Sequence, residues 1–516
     1  MSTSTKAAKS IIIMIIFTIG SKLLGFIREM LIAAKFGSGV ETDTFFVVVT
    51  ATGLFSSVFI QSLNTTMIPV LADVEKNEGK EGKRYHTNNV LNIVLLISTG
   101  ITIFAWILSP YIVKLVAHGF EGEQFKLAVQ MMRIGLPVVI CTGLVGVFRG
   151  YLQSESMFME YSVSQFPYNF AYIFYLLILS SFFGIKGLMV TSVLAVFAQF
   201  LIQIPGARNT GFKYRLIINF KDEYIKRILH LVLPVLIGVS INDLNNIIDR
   251  SLASTLVEGS ISALNYATRL NSFVLGIFVS TISTVLFPIL SREAASETFD
   301  SFKKTIRDGV NIILIITIPA TVGMIVLAEP IVKVVFERGA FDAVATQMTS
   351  QALIFYTLGL VGTAMRIFLE KVFYSLKDTK TPMINGLVAV GLNIVLNFIF
   401  IGSMAHRGLA LATSISVTMA TLYLFYILYK KINGYYAAEI IKCSLKSIFA
   451  SLIMAVIVQV CYSFLIKRFT GSSIIELLVL LISTALGAGI YFIILYLLKV
   501  EELIWLISII RKKFGK

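Results

Sequence analysis

Charge is scarce in this chain. Asp, Glu, Lys and Arg make up 14% of its 516 residues, against 56% that are hydrophobic. A soluble domain carries about 25% charge, so the shortage excludes a water-borne fold. The four histidines, His86, His118, His230 and His406, are dispersed and never fall into HExxH spacing, which leaves no zinc-hydrolase site. The three cysteines, Cys141, Cys443 and Cys461, stand singly inside apolar segments. They fit neither a disulfide framework nor a metal knuckle and are expected as small core residues. Also missing are a phosphate-binding Walker loop, a GxSxG nucleophile turn and any polar stretch long enough for a nucleotide domain. Neither an enzyme nor a nucleotide-driven pump is expected. Energy for any transport would come from an ion gradient, the membrane potential or the gradient of the substrate itself.

What the chain has in abundance is long apolar runs, with a mean hydropathy of +0.84. Runs of about 20 residues suffice to cross a hydrocarbon core of roughly 30 Å. They occur near 10–36, 42–72, 88–116, 125–152, 160–184, 186–206, 228–255, 260–291, 306–328, 347–375, 382–402, 407–432, 441–466 and 474–499. The reading is therefore an all-α polytopic membrane protein with 14 spans. Residues 1 to 20 resemble a signal peptide, with Lys6 and Lys9 ahead of an apolar run, but the small-residue cleavage site is missing and the run continues. The first transmembrane helix is expected there instead.

Lys and Arg set the orientation, because they concentrate in cytoplasmic loops. Loops after even-numbered spans hold Lys76, Lys80, Lys83 and Arg84, then Arg208, Lys213, Arg215, Lys221, Lys226 and Arg227, then Arg292, Lys303, Lys304 and Arg307, then Lys377 and Lys380, then Lys430 and Lys431. Loops after odd-numbered spans, such as GSGVE, HGFEGEQ and LVEGS, are poor in them. Both termini are expected in the cytoplasm. The net charge of +15 then points to topology and anionic lipid rather than to nucleic acid.

An internal repeat organises the spans. FIQSLNTTMIPVL at 59–71 aligns without a gap to FVSTISTVLFPIL at 278–290, and a QM pair followed by GLVG occurs at Gln130 and Gly143 and again at Gln347 and Gly359. The offsets of 216 to 219 residues accommodate six spans. Residues 1–220 and 221–436 are expected as two parallel, pseudo-symmetric six-helix lobes, with 437–516 adding two helices. Parallel repeats of a helix bundle are a transporter architecture with the substrate site between lobes.

An ionisable residue within a span costs a few kcal/mol unless it faces a cavity or a partner. Span one carries Lys22, Arg28 and Glu29; span four Arg133 and Arg149; span seven Asp243, Asp249 and Arg250; span eight Arg269; span ten Arg366 and Glu370. Cations outnumber anions, so a cavity lined by them suits an anionic substrate, and the guanidinium fork matches phosphate oxygens. Arg133 and Arg149 could instead be structural partners of Glu155 or Glu160, while Lys35 and Arg292 lie near span ends and are expected to snorkel. In span seven Asn242, Asn246 and Asp249 follow helical spacing, and in span eleven Asn393 and Asn397 are four apart on one face, with Thr413 following in span twelve. A carboxylate with amide and hydroxyl oxygens suits a hard monovalent cation such as sodium. Hydrogen bonding between membrane helices is the other reading of the same residues.

SKLLGFIRE, FGSGVETDTFFV, IPVL, EGSISALNYATRL, VLFPILSR, FERGAF, FYSLKDTKTP and LNIVLNFIF together resemble the MurJ (MviN) family. These are lipid II flippases within the superfamily that also holds drug and oligosaccharide exporters. The resemblance runs from about residue 10 to 430. It implies two six-helix lobes around a central cationic cavity, a lipid-tail groove on the last two helices, and alternating access in a bacterial cytoplasmic membrane. The implied cargo is undecaprenyl-pyrophosphate-linked peptidoglycan precursor, moved from the inner to the outer leaflet by a functional monomer in contact with membrane lipid. The family's functional arginines fall on Lys22, Arg28 and Arg269 and its second-span aspartate on Asp43, residues that would engage the pyrophosphate and gate the cavity. Its sodium site falls on Asp249, Asn393, Asn397, the backbone of Leu409, and Thr413.

Where family members carry an Arg-Arg pair and a glutamate in the second span, this chain has Ser56, Ser57 and Gln61. That difference keeps another polyprenyl-pyrophosphate-linked saccharide in view as cargo. A drug antiporter of the superfamily would want an acidic, aromatic cavity, and a lipid-linked-sugar polymerase would need a catalytic acid on a large outward loop.

Overall fold

The computed structural model describes residues 3–296, 299–469 and 471–504; the side chains of 3–16, 58, 64, 158, 161 and 233–242 lie outside that description. The N-terminal Lys6 and Lys9 and the Asn242 of the span-seven stripe fall in those side-chain gaps. The described residues form helices and no strand, the expected outcome for backbone that must satisfy its own hydrogen bonds in lipid.

Two compact units emerge, Met1–Ser262 with Arg338–Phe341, and Ala263–Glu337 with Asp342–Lys516. The first holds α1 (Thr3–Phe36), α2 (Val40–Ile107), α3 (Ser109–Val116), α4 (Gly122–Gly135), α5 (Val138–Ser154), α6 (Phe158–Phe174), α7 (Ser180–Leu201), α8 (Gln203–Asn209) and α9 (Glu223–Ala253). α10 (Ser260–Val274) leads into the second, with α11 (Ser280–Glu293), α12 (Asp300–Val326), α13 (Ala328–Phe336), α14 (Ala343–Thr357), α15 (Leu360–Ser375), α16 (Lys380–Met404), α17 (His406–Lys431), α18 (Ala437–Arg468) and α19 (Ser473–Leu497).

Among the described residues, nine helical stretches are long and apolar enough to cross a membrane, or ten with the α14–α15 pair, which bends by 49°. Two of the missing boundaries between the fourteen apolar runs have a local cause. α2 runs through spans two and three with a single break at Gly79, where φ is 71°, and the α6–α7 stretch runs through spans five and six with a break at Gly184, where φ is 56°. One glycine in the left-handed region turns the chain without ending the helical hydrogen bonding on either side. Phe182, Phe104 and Phe398 are 80%, 66% and 65% exposed, an arrangement that only an apolar surrounding tolerates over so many residues.

In the first unit α2 packs along α5 and α9. A Cβ on Gly146 would meet the Phe59 carbonyl at 3.2 Å, so glycine there permits close backbone approach. The segment from Gly211 to Phe220 is not helical and is tied to α2 by a row of amides. Asn88 Nδ2 donates to the Lys213 carbonyl at 3.0 Å and its Oδ1 accepts from Arg215 N at 2.8 Å. Asn89 does the same to Asn219, through its carbonyl at 3.0 Å and its N–H at 2.8 Å. These contacts satisfy the backbone of a connection that forms no helix of its own.

In the second unit Phe302, Ile306, Val310, Phe368, Leu369, Phe373 and Leu428 form one core. A second joins α12 to α18 and α19 through Ile315, Ala450, Met454, Val458, Tyr491 and Leu495, with the Tyr491 hydroxyl donating to the Ile315 carbonyl at 2.9 Å. The repeat extends beyond the segments recognised in the sequence. α3 and α13 are short helices entered after a break at Leu108 and at Leu327, and each contains Ile-Val-Lys, at Ile112 and at Ile331, at the offset that relates Phe59 to Phe278.

Candidate functional site

Arg28 lies on the face of α1 that packs against α6. Its Nη2 donates to Glu29 Oε1 at 2.8 Å and its Nη1 to Asn169 Oδ1 at 3.3 Å. The guanidinium carbon stands 5.3 Å and 5.1 Å from the ring centroids of Tyr168 and Tyr172. Charge, amide and two aromatic faces thus share one cation, whose side chain is 14% exposed. Cation–π and charge-assisted contacts of this kind offset the cost of moving the guanidinium out of water. Glu29 is 4% exposed and belongs to the same cluster. Asn169 in turn donates to the Ser21 carbonyl at 3.3 Å, fixing α6 against α1. Lys22, one turn and a half before Arg28, is half-buried.

Asp43 occupies a different setting, at the junction of three loops. Its Oδ1 accepts from Ser262 N at 2.7 Å and from the Ser262 hydroxyl at 2.5 Å, and its Oδ2 accepts from Gly259 N at 2.8 Å. The carboxylate, 3% exposed, therefore caps the N-terminus of α10, where unpaired backbone N–H groups and the helix dipole favour an anion. Around it Ser38 Oγ donates to the Gly259 carbonyl at 3.1 Å, Arg250 Nη1 donates to the Ile261 carbonyl at 3.1 Å, and Ala340 N donates to the Ala34 carbonyl at 2.8 Å. Three of the segments that carry the family resemblance, FGSGVETDTFF, EGSIS and FERGAF, meet at this junction. Gly37, with φ of 66°, approaches Ala340 too closely for any Cβ.

Further along α2, Ser57 Oγ donates to Asp243 Oδ2 on α9 at 2.7 Å. Asp243 thus finds a hydroxyl partner at the position where the resemblance would place an arginine. Asp249, also on α9, accepts from Asn245 at 3.2 Å, and Asn246 is exposed.

The second unit brings four of the five ion-site candidates together. Asn397 Nδ2 donates to Asn393 Oδ1 at 3.0 Å, Asn393 Nδ2 donates to Thr413 Oγ1 at 3.2 Å, and Thr413 Oγ1 donates to the Leu409 carbonyl at 3.0 Å. Asn393, Asn397 and Leu409 are all at most 2% exposed. This buried relay of oxygens between α16 and α17 has the donor set of a hard-cation site, and the same relay is itself interhelical hydrogen bonding. Among the described residues no group of three His, Cys, Asp or Glu side chains could hold a metal ion. Arg269 is exposed on α10. Arg366 Nε donates to Glu370 one turn on, at 3.2 Å.

Arg133 does not pair with Glu155. Glu155 pairs with Lys83 at 2.6 Å instead, in a site where Lys83 is 1% exposed and also meets Glu75 at 2.7 Å. Arg133 donates through Nε to Ser109 Oγ at 2.9 Å and lies 4.6 Å from the Trp106 ring. Lys83 reaches the carboxylates because its helix turns at Gly79, which periodicity alone does not display. Tyr168, Asn169 and Tyr172 are the functional neighbours that sequence reasoning missed; their i, i+1, i+4 spacing on span five, next to an aromatic-rich run, was the available signal.

The sequence profile of the family described as lipid II flippase MurJ matches residues 32–481. A protein of Vibrio cholerae described as a probable lipid II flippase MurJ is 32% identical over 82% of this chain and 83% of its own length. One of Buchnera aphidicola, described in the same words, is 27% identical over 95% of this chain and 96% of its own. Among solved structures, a lipid II flippase MurJ in an inward closed conformation superposes with a TM-score of 0.76 at 26% identity, covering 93% of this chain and 99% of that one. An inward-facing multidrug transporter of the MATE family shares the fold at 15% identity, with a TM-score of 0.71 over 80% of this chain and 94% of its own.

Proposed function

The chain belongs to the lipid II flippase MurJ family, and from that premise we propose how it carries its cargo across the bacterial cytoplasmic membrane. It is a multi-pass transporter that moves lipid II from the inner to the outer leaflet by alternating access. The observation that carries this reading is the family match over residues 32–481, which takes in both copies of the internal repeat.

In our reading the lobes 1–220 and 221–436 enclose a cationic cavity, and the pyrophosphate of the head group is met there by Lys22, Arg28 and Arg269. Asp43 acts on gating by holding the start of α10. The polyprenyl tail stays in lipid along α18 and α19 while the lobes rock. In this reading the chain has fourteen spans with both termini in the cytoplasm: α2 and the α6–α7 stretch would each supply two, α14 with α15 one, and α1 and α9 one apiece. A sodium ion at Asp249, Asn393, Asn397, the Leu409 carbonyl and Thr413 would couple the cycle to the ion gradient, and the working unit is a monomer.

The test is growth of a cell depleted of its own lipid II flippase. The wild-type gene is expected to restore growth, and Arg28→Ala or Arg269→Ala to abolish the rescue; full rescue by both variants would remove these residues from the mechanism. A second reading, carriage of another polyprenyl-pyrophosphate-linked saccharide, is favoured by one observation: Ser57 pairs with Asp243 where family members place a guanidinium. Rescue of a strain lacking an undecaprenyl-oligosaccharide flippase, without rescue of the lipid II depletion, would select it.

A further inference from the structure

A cavity of about 570 Å³ in the second unit, walled by α13, α14 and the far end of α18, has a chemistry unlike that of the Arg28 site. Its polar lining, besides Lys333, is Gln347, Ser350 and Gln351 from α14, Gln459, Tyr462 and Ser463 from α18, and Glu329 from α13, over an apolar floor that includes Ile325 and Ile354. The size falls within the range of ligand pockets, about 300–1,000 Å³. No arginine lines it. The one lysine, Lys333, is held by Glu476 at 2.9 Å, so no cation is left over for a phosphate. Carboxamides both donate and accept, and a tyrosine offers a ring face beside a hydroxyl. That set suits a neutral ligand dense in hydroxyl and acetamido groups.

The repeat isolates what is particular to this place. Gln130, the counterpart of Gln347 in the first half, accepts from Lys186 Nζ at 2.8 Å. The first half has no counterpart of α18. In the second half the three glutamine side chains make no hydrogen bond among the described residues, and all of them line the cavity. α18 is also the helix along which the polyprenyl tail is placed above, and in the fourteen-span topology proposed above its Gln459 end faces outward.

We propose that this cavity is an exit subsite for the saccharide of the lipid-linked substrate, holding the sugar after the pyrophosphate has left the cationic cavity. The assignment rests on the flippase reading and adds a second, uncharged contact to it. The experiment uses the full chain in lipid nanodiscs and two probes, lipid II and undecaprenyl pyrophosphate, which has the same tail and pyrophosphate without the saccharide. Wild-type protein binds lipid II more tightly than undecaprenyl pyrophosphate. A Gln347→Ala, Gln459→Ala double variant loses about tenfold in affinity for lipid II, the equivalent of two ordinary hydrogen bonds, and binds undecaprenyl pyrophosphate unchanged. Gln459→Trp, which fills the cavity, gives the same selective loss with an unaltered melting temperature. Unchanged lipid II affinity in both variants, or an equal loss for both probes, overturns the subsite. Wild-type protein that binds neither probe overturns the flippase reading itself.

Discussion

Glu29 accepts a hydrogen bond from Arg28 Nη2 at 2.8 Å, between residues adjacent in sequence on α1. The neighbouring carboxylate compensates the guanidinium charge out of water, and in the proposed cycle a pyrophosphate carrying more negative charge would displace it. Arg28→Lys keeps the charge but gives up the fork and the stacking on Tyr168 and Tyr172, so it should support growth weakly where Arg28→Ala supports none. Glu29→Gln removes the anion and leaves a buried cation under-compensated, with an expected loss of about 2 kcal/mol in stability. Thermal unfolding of the detergent-solubilised variants beside the complementation assay separates the two effects. A Glu29→Gln protein as stable as wild type would show that the pair is dispensable to the fold.

Asp43 is expected to act through α10. Replacing its carboxylate by the amide in Asp43→Asn turns one acceptor toward Gly259 N or Ser262 N into a donor. The loss of a capped helix start costs about 1–2 kcal/mol. The variant should melt at lower temperature with or without lipid II present. A substrate ligand with no structural duty would lower lipid II affinity and leave the melting temperature of the free protein alone.

At the α15–α16 turn, Lys431 Nζ contacts Asp378 Oδ2 at 2.5 Å, and Thr381 donates to Asp378 through N and Oγ1 at 2.9 Å and 2.7 Å. Burial opposes ionisation of Asp378, but these donors outweigh it and hold its carboxyl at about 2, below the ordinary 3.8. A depressed acid stabilises the folded state above its unfolded value and loses that contribution as pH falls toward 2. With allowance for solvent screening the contribution is about 1 kcal/mol. Asp378→Asn should therefore lower the melting temperature at neutral pH and flatten the fall in wild-type stability below about pH 4, as followed by helical circular dichroism across that range.

The residues of the candidate site stood out in the sequence for a physical reason: ionisable residues are exceptions in apolar runs. Lys22, Arg28, Arg269 and Asp249 were visible as exceptions to lipid solubility, and Asn393 and Asn397 as a polar pair at helical spacing with Thr413 on the next span. The partners of those residues were not visible. Tyr168 and Tyr172 reach Arg28 only through the packing of α6 on α1, and the donors to Asp43 come from a loop more than two hundred residues away. Tertiary contacts of this sort leave no periodicity. The non-helical stretch from Gly211 to Phe220 was likewise read only as a basic loop, although the amides of Asn88, Asn89 and Asn92 at the start of span three offered a hint that α2 would bind backbone there.

The relay from Asn397 through Asn393 and Thr413 to the Leu409 carbonyl separates two readings of the same residues. If it holds sodium, the ion takes the oxygens that now accept hydrogen bonds, and the folded protein gains stability as the ion binds. Binding to the native state alone adds RT ln(1 + [L]/Kd), about 2.7 kcal/mol at a hundred times Kd. The melting temperature of the wild-type protein should then rise in sodium chloride relative to potassium or choline chloride at equal ionic strength. Asn397→Ala should remove the rise as well as costing about 1–2 kcal/mol for the lost buried hydrogen bond. Asp249→Asn makes the sharper comparison, since it keeps the shape of the α9 side chain and deletes only the charge that would draw a cation. A wild-type melting temperature indifferent to sodium, with Asn397→Ala destabilised equally in both salts, would assign the relay to helix packing alone.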